Sequence, residues 1–142
     1  MVAKLTTLVI NFTQDNSRWV KEAACKEIGP FVIALNGREI STDLVACYIA
    51  MADSTKASNP QENESLFYCA YNFPAIILAL GAEAWESMAG LHKKMCRDIQ
   101  NRVRKSLANS IAEVAAIIGQ ENTERDLVPV YESFLRDESE IQ

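Results

Sequence analysis

His92 and Cys96 stand four residues apart, so on a helix they share a face, a spacing that could begin a metal site or a thiol–imidazole pair. His92 is the only histidine, a zinc site needs more ligands than these two, and groups one helical turn apart cannot line a cleft. A packing role is the expectation for both. Cys25, Cys47 and Cys69 form no C-x-x-C pair and read, with Cys96, as small buried hydrophobes in a reducing compartment. Gly29, Gly37, Gly81, Gly90 and Gly119 are scattered as caps and turns and build no phosphate loop. The sequence therefore predicts no catalytic residue, no metal and no cofactor, and a protein that is not an enzyme.

Charge is the second source of chemistry. The net charge of −5 argues against a general nucleic-acid binder. Its distribution is uneven: Lys93, Lys94, Arg97, Arg102, Arg104 and Lys105 are six basic residues set around the single acid Asp98, whereas residues 120–142 carry seven acids against Arg125 and Arg136. Two readings fit, solvated helix faces or a basic patch that docks an acidic partner surface. There is no secretory h-region and no apolar run long enough to span a bilayer, so the expected compartment is the cytoplasm, with the nucleus as a second one, and no membrane partner.

The elements that must carry these residues are helices. Val103, Leu107, Ile111, Val114, Ala115 and Ile118 recur at helical spacing, and Ala108, Ala112 and Ala116 make a second, smooth flank. Two such faces predict a helix sandwiched between neighbours and ended by Gly119. The chain also resembles itself. Val20-Lys21-Glu22-Ala23-Ala24-Cys25-Lys26-Glu27-Ile28-Gly29 falls on Val103 to Ala112 without a gap, and Asp15 precedes Val20 by the same step as Asp98 precedes Val103. The run from Cys69 ends on Gly81, 38 positions before Gly119. Two helices per period of this length point to a helical-repeat solenoid, a single unit divided at about 1–37, 38–81, 82–119 and a partial 120–142.

Within it, a first helix from Val2 to about Thr13 presents Leu5, Leu8, Val9 and Phe12. A second runs from about Ser17 to Leu35 with Trp19, Val20, Ala23, Ala24, Ile28, Phe31, Val32 and Leu35 inward. Pro30 and Pro74 should kink or break their helices. Asn36 to Glu39 reads as a turn, Ser41 or Thr42 as a cap, residues 53–64 as a mobile loop, and 65–80 as the next helix. The helix bearing Trp85, Met88, Leu91, His92, Met95 and Cys96 follows. Thr123 is the expected cap of a final helix with Pro129 in its early turns. Tyr131, Phe134 and Leu135 then await a neighbour, and the expectation is a piece of a longer array.

Asp126 to Asp137 and the repeated Asp-turn-Val-Arg/Lys step resemble HEAT repeats. More specific is Cys69 to Gly81 with Trp85, followed by Val103 to Ala108 with Ile111 and by Asp126-Leu127-Val128-Pro129, with Tyr48-Ile49-Ala50-Met51 ahead. That order resembles the family of regulatory subunit 1 of protein phosphatase 4, akin to the scaffolding A subunit of phosphatase 2A. The resemblance implies an all-α, right-handed α-solenoid of HEAT-type hairpins, non-catalytic, that binds the catalytic subunit of phosphatase 4, or a related 2A-type one, and directs it to substrate proteins. It also implies that the turns within repeats face that subunit. On this chain they are Asp15 to Lys21 and Asp98 to Lys105, which makes Arg18, Trp19, Lys21, Asn101, Arg102, Arg104 and Lys105 the candidate protein-binding residues. Asp15 and Asp98 can equally cap their turns or bridge repeats. The rival is a HEAT-repeat adaptor for transport or chromosome-associated assembly, whose acidic cargo would take the basic patch.

Overall fold

The computed structural model describes residues 2–35, 40–52 and 64–136. Every regular element among them is helical: α1 (Val2–Thr13), α2 (Arg18–Ala34), α3 (Thr42–Ala50), α4 (Glu64–Leu80), α5 (Trp85–Cys96), α6 (Asn101–Ile118), α7 (Gln120–Asn122) and α8 (Val128–Arg136). A 3-10 turn, Ala82–Ala84, precedes α5, and a π-helical stretch, Thr123–Leu127, joins α7 to α8. The all-α expectation holds. The turn at residues 36–39 and the loop at 53–64 fall outside the described residues, save Glu64, which opens α4.

Local chemistry explains most boundaries. The Ser17 and Ser41 hydroxyls accept the amide N–H of Val20 at 3.5 Å and of Leu44 at 3.1 Å, each satisfying an amide that the first helical turn leaves unbonded. Gly81 and Gly119 follow α4 and α6 in one conformation, φ 88° and ψ 169°, where a side chain would be strained. Their amides donate to Ile77 and Ala115 four residues back, so the two helices stop in the same way.

Packing departs from expectation at the centre. α2 lies against α4 and α4 against α6, while α1 packs on α2 and α3, and α5 on α6. α6 packs against α4 and against α5 and α8, but the more fully enclosed helix is α4. No charged residue lies between Ser65 and Leu80, and Leu66, Cys69, Ala70, Asn72, Phe73, Ile76 and Ile77 are all buried. In α6 only the large stripe is enclosed, through Val103, Leu107, Val114 and Ile118; Ala112 and Ala116 face out. Ala116 and Ile117 instead border an open groove of about 760 Å³ across α2, α4 and α6, where Ile33, Tyr71 and Leu78 are also exposed.

Pro30 and Pro74 interrupt neither α2 nor α4. Pro30 has no N–H for the carbonyl of Lys26, four residues back. Asn72 of α4 supplies the donor: its Nδ2 donates to Lys26 O at 3.3 Å and to Cys25 O at 2.9 Å. Gly29 makes room for this, since a Cβ there would lie 2.4 Å from Asn72 Oδ1. Gly29 and Gly90 thus sit inside helices, contrary to the reading of all five glycines as caps and turns.

Two further expectations are corrected, at Trp19 to Ala23 and at Thr123. Trp19, Val20 and Ala23 face outward on α2, whose buried side is Cys25, Ile28, Gly29 and Val32. On α1, Leu5, Leu8 and Phe12 are exposed, and Thr6 and Thr13 are the enclosed residues. Thr13 lies toward α3, its hydroxyl donating to Ile10 O at 2.7 Å and touching Cys47 Sγ at 3.0 Å. Thr123 caps nothing, because helix already begins at Gln120 after Gly119, and Pro129 stands nine residues into that run. The proline ring crowds the carbonyl of Arg125, and the wider π-helical stretch falls there. Phe134 is buried, while Tyr131 and Leu135 stay exposed.

Candidate functional site

The two turns singled out by the repeat share one geometry. Asp15 Oδ1 accepts the Ser17 amide at 2.7 Å, and Asp98 Oδ1 accepts the Gln100 amide at 2.9 Å. In both, a carboxylate folds over the amide two residues on, which fixes the entry to the following helix. Cys25 of α2 reaches Ser65 near the start of α4, Gly29 faces Ala75 further along both, and Arg102 meets α4 at its first residue, Glu64, so α2, α4 and α6 run in parallel. Their starts, and hence both turns, lie along one edge of that layer.

The candidate residues divide on this edge. Arg102 donates to both carboxylate oxygens of Glu64, at 2.7 and 3.2 Å, and its guanidinium lies 5.0 Å from the centre of the Phe67 ring. Arg104 donates to Asp98 O at 2.5 Å and to the Asn101 side chain. These groups tie α6 to its own turn and to α4. Arg18 pairs with Glu22 at 2.9 Å and stands 6.0 Å from the Trp19 ring. Trp19 is 78% exposed, and Lys21 and Lys105 are exposed as well.

His92 and Cys96 are buried together, the Cys96 sulfur 3.7 Å from His92 Nδ1. The imidazole packs against Phe73 at 4.9 Å and Trp85 at 5.5 Å between ring centres. Burial lowers its pKa to about 4, so it is neutral at pH 7. Burial also pushes the Cys69 and Cys96 thiols up to about 12 and raises Cys25, which leaves little nucleophilic thiolate. All four cysteines are buried and none is disulfide-bonded. Among the described residues no three His, Cys, Asp or Glu side chains converge as metal ligands.

The sequence reading missed a second basic surface. Lys93 of α5 and Arg97, which follows that helix, face Arg125 and Arg136 across a groove of about 370 Å³ between α5 and α8. Arg125 binds Glu86 at 2.8 Å and Asp126 at 2.9 Å, and Asp126 also accepts the Trp85 indole N–H at 2.7 Å. Hydrogen bonding from Arg125 is the main cause holding the Asp126 carboxyl below its usual range. The i, i+4 step from Lys93 to Arg97 was the available signal, but Arg125 and Arg136 come from a stretch dominated by acids.

A family model described as protein phosphatase 4 regulatory subunit 1 middle domain matches residues 69–142. Serine/threonine-protein phosphatase 4 regulatory subunit 1 from human, mouse and rat is in each case 36% identical over 95 residues, 67% of this chain. The match covers 10% of each relative, so the chain spans about a tenth of the length of the curated proteins it matches.

Proposed function

Since this chain belongs to the protein phosphatase 4 regulatory subunit 1 middle-domain family, we propose that it is a regulatory, non-catalytic segment of a phosphatase assembly, working by protein contact. The relatives are named as regulatory subunits, and the buried, high-pKa thiols and neutral buried imidazole agree with a non-catalytic role. We read its helices as a right-handed HEAT-type solenoid with repeats at about 1–37, 38–81, 82–119 and 120–142. In support, side-chain hydrogen bonds that join helices of neighbouring units span 34 residues for Thr13 and Cys47, 38 for Arg102 and Glu64, 41 for Trp85 and Asp126, and 46 and 47 for Asn72 with Lys26 and Cys25, the longer steps crossing the polar stretch 53–64.

The surface offered to the phosphatase 4 catalytic subunit, or a related 2A-type one, is the edge bearing both turns. The observation that carries this is the pair of matching Asp-held turns at the parallel starts of α2 and α6, with Trp19, Lys21 and Lys105 exposed beside them. A large exposed aromatic next to exposed cations is the composition of an interface anchor. Substrate proteins would be brought to the enzyme through the remaining surface, in the cytoplasm and the nucleus.

The test is capture of this chain by purified phosphatase 4 and 2A catalytic subunits. Selective capture by phosphatase 4 that weakens at least about tenfold in Trp19→Ala with Lys105→Glu is expected. Capture unaffected by those changes moves the contact off this edge. No capture by either enzyme removes the catalytic-subunit contact from this segment.

A further inference from the structure

The six cations between Lys93 and Lys105 do not form one patch. Arg102 and Arg104 are committed to Glu64, Asp98 and Asn101 at the α6 turn. Lys93 and Arg97 lie at the other side of α5, where they meet Arg125 and Arg136 around the groove between α5 and α8. Four cations and one acid, Asp126, line it, and Asp126 is already held by Trp85 and Arg125. Among the described residues Lys93, Arg97 and Arg136 make no ion pair, and each is exposed. The floor between them is apolar and roomy: Ala89, Pro129 and Val130 border it, and nothing lies within 4 Å of where a Cβ on Gly90 would sit.

We propose that this groove docks a short acidic segment of a partner protein, with carboxylates on Lys93, Arg97 and Arg136 and one aliphatic side chain over Gly90. On a chain of net charge −5 a concave cluster of cations attracts anions only locally, which selects a short segment over an extended polyanion. The apolar floor selects a peptide over a simple anion, because an inorganic ion leaves that surface unfilled. The inference is independent of the phosphatase reading.

The experiment is fluorescence anisotropy of the full chain with a labelled Asp-Glu-Leu-Glu-Asp peptide, and with a labelled thymidine hexamer beside it. Saturable peptide binding is expected, weakened about tenfold by Lys93→Glu with Arg97→Glu and similarly by Arg136→Glu. Gly90→Leu, which fills the floor and keeps every charge, is expected to weaken it as well. Lys4→Glu with Lys26→Glu, exposed on α1 and α2 away from the groove, should leave it unchanged. Equal loss in that control, undiminished binding in Gly90→Leu, or equal affinity for the thymidine hexamer would each overturn the proposal. So would binding seen only after Asp137→Asn, Glu138→Gln and Glu140→Gln in the full chain, because the chain's own acidic end would then be the occupant. Absence of binding to both the parent and that variant would leave the groove without a peptide-docking role.

Discussion

The turns before α2 and α6 share an Asp five positions ahead of a Val and the same Asp-to-amide bond, at 2.7 and 2.9 Å, yet the residues of their first helical turns have opposite fates. Val103 is fully buried, whereas its counterpart Val20 is 38% exposed. Arg102 is clamped to Glu64 and Phe67 of α4; Trp19, which aligns with it, is 78% exposed. The cause is position. α6 has α4 on the side from which the chain came, and among the described residues α2 has no helix of that layer on the corresponding side. A turn's backbone is thus fixed locally, but what its flanking side chains do is decided by the adjacent unit.

The largest effect should come from the seam between the two turns. Gly29→Ala drives a Cβ into Asn72, so a loss of about 3 kcal/mol is expected. Hydrogen exchange should show α1 and α2 loosening ahead of α6; uniform loosening would mean that the two ends are not separable. Next, Val103→Ala should cost about 2 to 3 kcal/mol in urea unfolding and Val20→Ala under about 0.5, and equal costs would erase the contrast.

His92 sharpens the difference between the ends, because α5 alone carries a buried histidine. Its folded pKa of about 4 lies below the ordinary value of about 6.5. The unfolded chain therefore takes up a proton that the folded one refuses, and stability falls as pH drops from about 6.5 toward 4. At pH 5 the loss relative to pH 7 should be about 2 kcal/mol, and absent in His92→Gln once each protein is compared with itself. An equal loss in the variant would assign the effect to carboxylates. Smallest is Arg102→Glu, which sets two carboxylates side by side at a partly exposed site; about 1.5 kcal/mol is expected against under about 0.5 for Trp19→Glu, both read by thermal unfolding.

The backbone was the readable part of this molecule. Asp15, Asp98, Ser17, Ser41, Gly81 and Gly119 act within four residues of themselves, so their types and spacing were enough to locate turns and ends. Facing was harder. An apolar stripe on α1 or α2 does not reveal which of its sides has a neighbour, so Trp19 and Val20 were expected inside and are out, and the shared face of Leu5, Leu8 and Phe12 on α1 is exposed. The uncharged run from Ser65 to Leu80 did mark the enclosed helix, and the longer amphipathic pattern of α6 outweighed it. The α5–α8 groove joins cations about 30 to 40 positions apart, with the π-helical stretch deciding where Arg125 and Asp126 point, and neither is written in a local pattern.

The bond from Asn72 to the Lys26 carbonyl has a consequence in time. Ribosomes add about 5 to 20 residues per second, so the donor arrives 46 residues and on the order of a few seconds after its acceptor. Until then α2 holds a carbonyl that Pro30 has left without a partner, and the helix is expected to fray there. Chains arrested on the ribosome before Asn72 should exchange amides around Lys26 rapidly, and early protection would refute the order. Assembly then has a direction, each unit being completed by the one made after it.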